Sequence, residues 1–212
     1  MKQTKFLIIS IIGIVVFSWV FSAGAVSSPT AQIKEKADQV MAILNDPALK
    51  GNMEKRRQMV TNIVEQMIDW PEVGKRTLAL NWKKRTPQEK EEFVRLFRDL
   101  LKRTYSEKLD IYAGEQIVYE NESIDDNRAV VKTRVVNKKK GEDYNVDYRL
   151  IKKGEQWLVY DIIIEGISAV NNYRGQFNEV ITSSSYEELV KRMKNQAFRV
   201  KEAAKTSKEG KR

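Results

Sequence analysis

One stretch, residues 156–177 (QWLVYDIIIEGISAVNNYRGQF), restricts the folds open to this chain more than any other. Its first half is β-branched, aromatic or aliphatic at Trp157, Leu158, Val159, Tyr160, Ile162, Ile163 and Ile164, with Asp161 alone between them. A strand apolar on both faces needs cover on both faces, which places it inside a sheet or beneath helices. At Glu165-Gly166 the pattern changes. Gly166 permits a sharp bend, Ser168 can cap a helix, and Ala169, Val170, Tyr173, Phe177 and Ile181 recur at helical spacing. A buried strand therefore feeds directly into an amphipathic helix, and the chain upstream reads as a shell around that corner.

Before this corner the period is two. Four strands are predicted, at 115–123, 128–137, 142–152 and 155–165, and the segments between them have turn composition, so they form an antiparallel meander. In the third strand Tyr144, Val146, Tyr148 and Leu150 alternate with Asn145, Asp147 and Arg149, leaving one face wet. In the second, Ala129, Val131, Thr133 and Val135 alternate with Val130, Lys132, Arg134 and Val136. The apolar faces of the two strands can share one side of a sheet.

Helical spacing governs the rest. A first helix from Thr30 carries Ile33, Ala37, Val40, Met41 and Leu44 and stops at Asn45-Asp46-Pro47; a second, 53–68, carries Met59, Ile63, Val64, Met67 and Ile68. Asp69 and Pro71 open a short third helix that bears Val73, Leu78 and Leu80 and reaches Trp82. Thr86-Pro87-Gln88-Glu89 is a capping box, and the helix it starts runs to about Tyr112 with Phe93, Leu96, Phe97, Leu100, Leu101, Tyr105 and Leu109 along one face. At ~1.5 Å per residue that helix spans roughly 40 Å and has to lie across a large sheet or along a cavity. Two further helices, from Ser168 and from Tyr186, close the domain. The predicted fold is α+β: a curved four-stranded antiparallel sheet packed by several helices around an apolar pocket, a cystatin-like or nuclear-transport-factor-like cone.

Residues 1–25 read as a signal peptide, with Lys2 and Lys5 ahead of an apolar run and Ala23-Gly24-Ala25 at its end; an uncleaved anchor is the other reading. Residues 26–200 form one domain. Residues 201–212, KEAAKTSKEGKR, form a basic tail with almost no apolar content, predicted to be disordered. The 212 residues contain neither Cys nor His, which excludes disulfides, thiol chemistry, Cys/His zinc sites and His-dependent triads. Net charge is +9, falling to +7 without the two signal lysines, and suits an anionic partner or simply a mixed solvated surface.

Enzyme templates fare poorly. There is no Gly-rich phosphate loop, and carboxylate pairs such as Asp125-Asp126 and Glu187-Glu188 sit in turns or helix starts. Tyr160-Asp161 is the best catalytic candidate: a buried Asp in an apolar cone could abstract a proton, or it could merely tie down a helix terminus or pair with Arg174. Lys83-Lys84-Arg85 beside Trp82 suits either a membrane interface or an interhelical loop with the Trp turned inward. No nucleic-acid-binding pattern, metal set or cofactor motif stands out.

Several of these residues, taken together, resemble the toluene-tolerance (MlaC) family of periplasmic phospholipid-binding ABC-transport auxiliary proteins. The likeness rests on Asp69-Trp70 through Leu78 to Trp82, on Thr86-Pro87, Phe93, Phe97, Leu100, Thr104-Tyr105, Leu109 and Tyr112, and most on Trp157, Tyr160-Asp161, Glu165-Gly166, Ser168, Tyr173-Arg174 and Gln176-Phe177. A Leu-Gly pair common in the family reads Leu78-Ala79 here. The resemblance implies a periplasmic carrier with no enzymatic activity. It would shuttle diacyl phospholipid between an outer-membrane lipoprotein complex and an inner-membrane ABC transporter complex and so maintain outer-membrane lipid asymmetry. The residues expected to line its cavity are Tyr144, Val146, Tyr148 and Leu150 of the third strand and Val131 and Val135 beside it. From the long helix come Phe97, Leu101, Tyr105 and Leu109, and from the corner Ile163, Ile167 and Val170. Ordinary core is the competing reading for each. The competing functions are a small-molecule enzyme using Asp161 and a membrane-anchored adaptor that keeps its N-terminus.

Overall fold

The computed structural model describes residues 27–106, 115–137 and 141–198. Among them the order is α1 (Pro29–Asn45), α2 (Met53–Met67), α3 (Trp70–Leu78), α4 (Pro87–Ser106), β1 (Gln116–Asp125), β2 (Arg128–Asn137), β3 (Glu142–Lys153), β4 (Gln156–Ile164), β5 (Ile167–Ser168), α5 (Ala169–Ser183) and α6 (Tyr186–Lys194). The expected signal peptide, the basic tail and Leu109 lie outside the described residues.

The helices start where the polar caps demand. The side chains of Ser28, Asp69, Ser168 and Ser185 each accept a hydrogen bond from a backbone N–H in the first turn of the helix that follows. The capping box of α4 is reciprocal: Glu89 N–H donates to Thr86 Oγ1 at 3.2 Å, and Thr86 N–H donates to Glu89 Oε2 at 2.7 Å. That backbone donor holds the Glu89 carboxyl below the usual range.

The sheet is antiparallel with strand order β1-β2-β3-β4-β5, five strands rather than the expected four. The bend at Glu165-Gly166 does more than redirect the chain. Glu165 at φ 49° and Gly166 at φ 79° reverse it, so that Ile167 pairs with Ile164 and Ser168 with Ile163 before α5 begins. A two-residue strand carries no period-two pattern, and only the pairing reveals it.

A second departure concerns the third helix. It ends at Leu78 because Ala79 adopts φ 49° and ψ −117°, and residues Ala79–Lys84 continue as a 3₁₀ segment. The break turns Leu80 outward, 78% exposed, while Trp82 packs against the helical core under the Lys90 ammonium. Leu80 is thus not part of the apolar face assigned to that helix.

Apolar side chains gather in two clusters. The larger joins α3, α4, α5 and α6 to Tyr160 of β4 and is built on aromatic rings. Phe97 meets Tyr173 edge-on at 5.0 Å and Phe177 at 5.2 Å between centroids, and Phe177 meets Phe93 at 5.7 Å. Helices α3 and α4 approach so closely that a Cβ on Gly74 would come within 2.8 Å of Val94 Cγ2. The smaller cluster lies on the sheet: Ala129, Val131, Leu150, Trp157 and Val159 with Ile33 of α1.

Candidate functional site

Cross-strand partners share a face of a sheet, so the register sorts its residues. One face carries the rows Val135–Tyr144, Thr133–Val146–Ile164–Ile167, Val131–Tyr148–Ile162 and Ala129–Leu150–Val159, with Ile117 and Tyr119 of β1 joining them. The opposite face carries Lys132–Asp147–Ile163 and Arg149–Asp161. The first face is therefore almost wholly apolar or aromatic, and the second is charged over much of its length.

Helix α1 crosses the apolar face and is tied down at polar points. Glu122 Oε2 of β1 accepts from Thr30 N–H at 2.6 Å. The Gln32 amide accepts from Trp157 N–H at 2.9 Å and donates to the Glu155 carbonyl at 3.3 Å. Helix α2 leads to the sheet at its far end, where Asp69 N–H donates to the Val159 carbonyl at 2.9 Å. Glu65 of α2 also pairs with Lys102 of α4 at 2.5 Å. On the sheet itself Tyr119 and Tyr148 are shielded enough that burial pushes both phenols up to about 12. The Tyr119 hydroxyl is buried and has no hydrogen-bond partner among the described residues.

The apolar face is not packed throughout. At the Ala129–Leu150–Val159 end it forms the smaller cluster. Toward the start of β3 and the end of β4 it passes beyond both clusters: Val135 and Val146 are buried yet belong to neither, and beside them Tyr144 is 37% and Ile164 47% exposed. An apolar strip thus runs from the packed cluster to the surface.

Of the thirteen expected lining residues, the structure brings seven together on this face: Val131, Val135, Tyr144, Val146, Tyr148, Leu150 and Ile167. Ile163 points to the other face, opposite Asp147; Ile162 and Ile164 stand in its place. A bulge explains the slip. Between Arg149 and Leu150 the pairing skips Tyr160, which reverses the alternation of β4 beyond it. Phe97, Leu101 and Val170 belong to the helical cluster, and Tyr105 lies at the end of α4 beside Tyr173, whose phenol burial holds strongly protonated. Two clefts, of about 610 Å³ between the 3₁₀ segment and α5 and of about 340 Å³ between α4 and α6, are lined by none of the thirteen.

Asp161 takes a structural position. Its Oδ1 accepts from Val170 N–H at 3.0 Å and its Oδ2 from Ser168 Oγ at 2.7 Å, with Arg149 Nη1 at 3.4 Å. It ties β4 to the start of α5. Arg174, its other candidate partner, instead donates from Nε to the Arg76 carbonyl at 2.9 Å. Among the described residues no group of acidic side chains could hold a metal ion.

An α+β domain with helices laid over one apolar face of an antiparallel sheet is also the architecture of a phospholipid-binding protein from Ralstonia solanacearum, solved in complex with a phospholipid. The two structures agree with a TM-score of 0.71 at 30% identity, covering 80% of this chain and 97% of that one. The MlaC protein family model matches residues 34–195, and the chain belongs to that family. Its relatives include the intermembrane phospholipid transport system binding protein MlaC of Haemophilus influenzae, 20% identical over 83% of this chain and 85% of that protein. A toluene tolerance protein of Pseudomonas putida is 23% identical over 78% of each.

Proposed function

We propose that this protein is a periplasmic phospholipid carrier that holds acyl chains against the apolar face of its sheet. The observation that carries the reading is the strip Val135, Tyr144, Val146, Ile164 and Ile167, apolar, continuous with the smaller cluster and reaching the surface. Family membership and the phospholipid-bound relative support it. The physical requirement is severe. A diacyl lipid exposes ~30 CH₂ groups at ~0.8 kcal/mol each, so a carrier has to replace bilayer by protein surface of similar apolarity. The strip supplies such surface on strands whose backbone is already paired, so nothing polar is left unsatisfied when chains lie on it.

The periplasmic location rests on the N-terminal export signal read in residues 1–25 and on the relative's role in an intermembrane system. Delivery between an outer-membrane lipoprotein complex and an inner-membrane ABC transporter follows from the same family reading. The net positive charge suits acidic partner surfaces or anionic headgroups.

Native mass spectrometry of the exported protein, with solvent extraction of what it releases, tests the proposal. A stoichiometric mass increment of diacyl phospholipid is the expected result. An empty protein that also takes no lipid from vesicles would sink the reading.

A further inference from the structure

Tyr119 of β1 is the odd residue of the apolar face. It pairs with Thr133 and so stands in the row Thr133–Val146–Ile164 of the strip. Its ring packs against the smaller cluster. The hydroxyl is its only polar side-chain atom, and that atom is sealed from solvent with no hydrogen-bond partner. Among the described residues of the sheet, no other buried side-chain polar atom lacks one. Other buried hydroxyls are provided for. Thr133 Oγ1 donates to the Val146 carbonyl at 2.7 Å, and Tyr186 donates to the Glu89 carbonyl at 3.1 Å. Tyr173, in the helical cluster, has the hydroxyls of Tyr105 and Thr104 beside it.

Phenylalanine would serve the packing alone. A sealed donor without an acceptor loses its water and receives nothing in return. The missing acceptor is one that arrives with an apolar ligand, and the surroundings restrict its charge. Besides burial, Tyr148 of β3 and the Asp38 carboxylate of α1 act on the phenol and raise it further. The row itself, Thr133, Val146, Ile164 and Ile167, holds no cation. A phosphate or a fatty-acid carboxylate placed there would meet Asp38 with nothing in the row to offset it. An ester carbonyl is a neutral acceptor, and each chain of a diacyl lipid begins at one. One row, about 7 Å of strand, separates Thr133 from Val135 and the partly exposed Tyr144. An ester at Tyr119 therefore leaves its headgroup at the surface. Asp38 belongs to the helix that crosses this face on polar ties at Thr30 and Gln32, so a ligand reaches the phenol by displacing α1.

Resting on the carrier reading, we propose that the Tyr119 hydroxyl donates a hydrogen bond to an acyl-ester carbonyl of the carried lipid. The contact selects ester-linked chains over ether-linked ones and does not sort one headgroup from another.

The exported protein is incubated with vesicles holding equal amounts of a diester phosphatidylcholine and its dialkyl ether analogue, with chains of the same length. The lipid it removes is extracted, and the two species are compared by mass spectrometry. Wild type is expected to take the diester in about fivefold to tenfold excess, the worth of one neutral hydrogen bond to a sheltered donor. Tyr119→Phe should melt no lower than wild type, since it loses only an unpaired hydroxyl, and should take the two lipids nearly in vesicle proportion. Tyr148→Phe, on the same face, should keep the wild-type excess. An unchanged excess in Tyr119→Phe, or its loss in Tyr148→Phe instead, would overturn the assignment. So would wild type that takes both lipids in vesicle proportion. If Tyr119→Phe does not fold, the infrared carbonyl band of diester lipid bound to wild type decides: a hydrogen-bonded component is expected, and its absence overturns the assignment. Wild type that removes neither lipid would instead remove the carrier reading itself.

Discussion

The helical cluster and the apolar sheet face are built from similar residue types and differ in how they are closed. In the cluster, Phe93, Phe97, Tyr173 and Phe177 meet edge-to-face from two helices, and Leu189 and Met193 of α6 complete the enclosure. On the sheet face, cover comes from α1, whose fully buried residues are Pro29 and Ile33, and from α2, whose buried residues are Arg56 and Val60. The first region is sealed by interlocking rings; the second is a ready-made apolar floor beneath helices tethered through Thr30, Gln32 and Glu65. Rings packed at crystal-like density cannot give way to a ligand without opening a void, whereas helices held largely by polar ties can. The division suits a carrier, with a rigid body on one side and an exchangeable floor on the other.

Truncation in the sealed region should have the largest effect. Phe177→Ala removes the ring that touches Phe93, Phe97 and Tyr173, and should destabilise the protein by about 3–5 kcal/mol in urea unfolding. A loss under about 1 kcal/mol would mean that the rings are not interlocked and would break the contrast. Asp161→Ala, at the joint between the regions, unseats the start of α5 and should cost about 2 kcal/mol. Full stability with loss of some measured turnover would instead revive the enzyme reading.

The alkaline limb separates the regions by titration. Tyr119 and Tyr148 on the sheet face, and Tyr186 beside α4, have phenols pushed up to about 12 chiefly by burial, against about 10 when unfolded. The folded state holds these protons more tightly. Their contribution is therefore complete below pH 10 and is lost as pH rises from about 10 to about 12. Each should lower unfolding free energy by about 1 kcal/mol per pH unit in that window. Tyr148→Phe should flatten the limb by one tyrosine's share, and bound lipid, by further shielding the sheet, should deepen the remainder that belongs to Tyr119. An unchanged limb in Tyr148→Phe would show that the sheet face is wet.

Ala79→Gly should raise stability by about 1 kcal/mol, because φ 49° with ψ −117° is open to glycine and strained for alanine. The effect should leave lipid content unchanged, since Ala79 lies beside the helical cluster. Tyr144→Glu should move stability least, within about 0.5 kcal/mol, as its side chain is partly exposed. It should nonetheless reduce copurifying lipid several-fold by placing a charge on the apolar strip. Native lipid content in Tyr144→Glu would move the floor elsewhere.

Much of this architecture was legible in the residues themselves. Caps at Asp69, Thr86 and Ser168 mark where helices begin, and strict alternation marks β2 and β3; the cap at Ser28, in a segment that reads as a linker, shows only in the structure. Both signals are local: a cap contacts its own first turn, and alternation reflects the two faces of one strand. The family likeness carried by Trp157, Tyr160-Asp161, Glu165-Gly166 and Tyr173-Arg174 was legible for the same reason, being order and spacing along one chain. Asp161 as a helix tie was one of its two structural readings, with Arg149 rather than Arg174 as its cation.

What the residues alone could not decide was which apolar side chains share a surface. Ile163 and Ile162 are equally apolar, and a bulge created by pairing with β3 sends one to the charged face and the other to the apolar one. Phe97 and Val146 are both buried, yet one is locked among rings and the other lies on the strip. Periodicity assigns a residue to the inward side of its own element. Which neighbour it meets, and whether a charge there finds a partner, depends on elements distant in the chain, and so belongs to the tertiary structure.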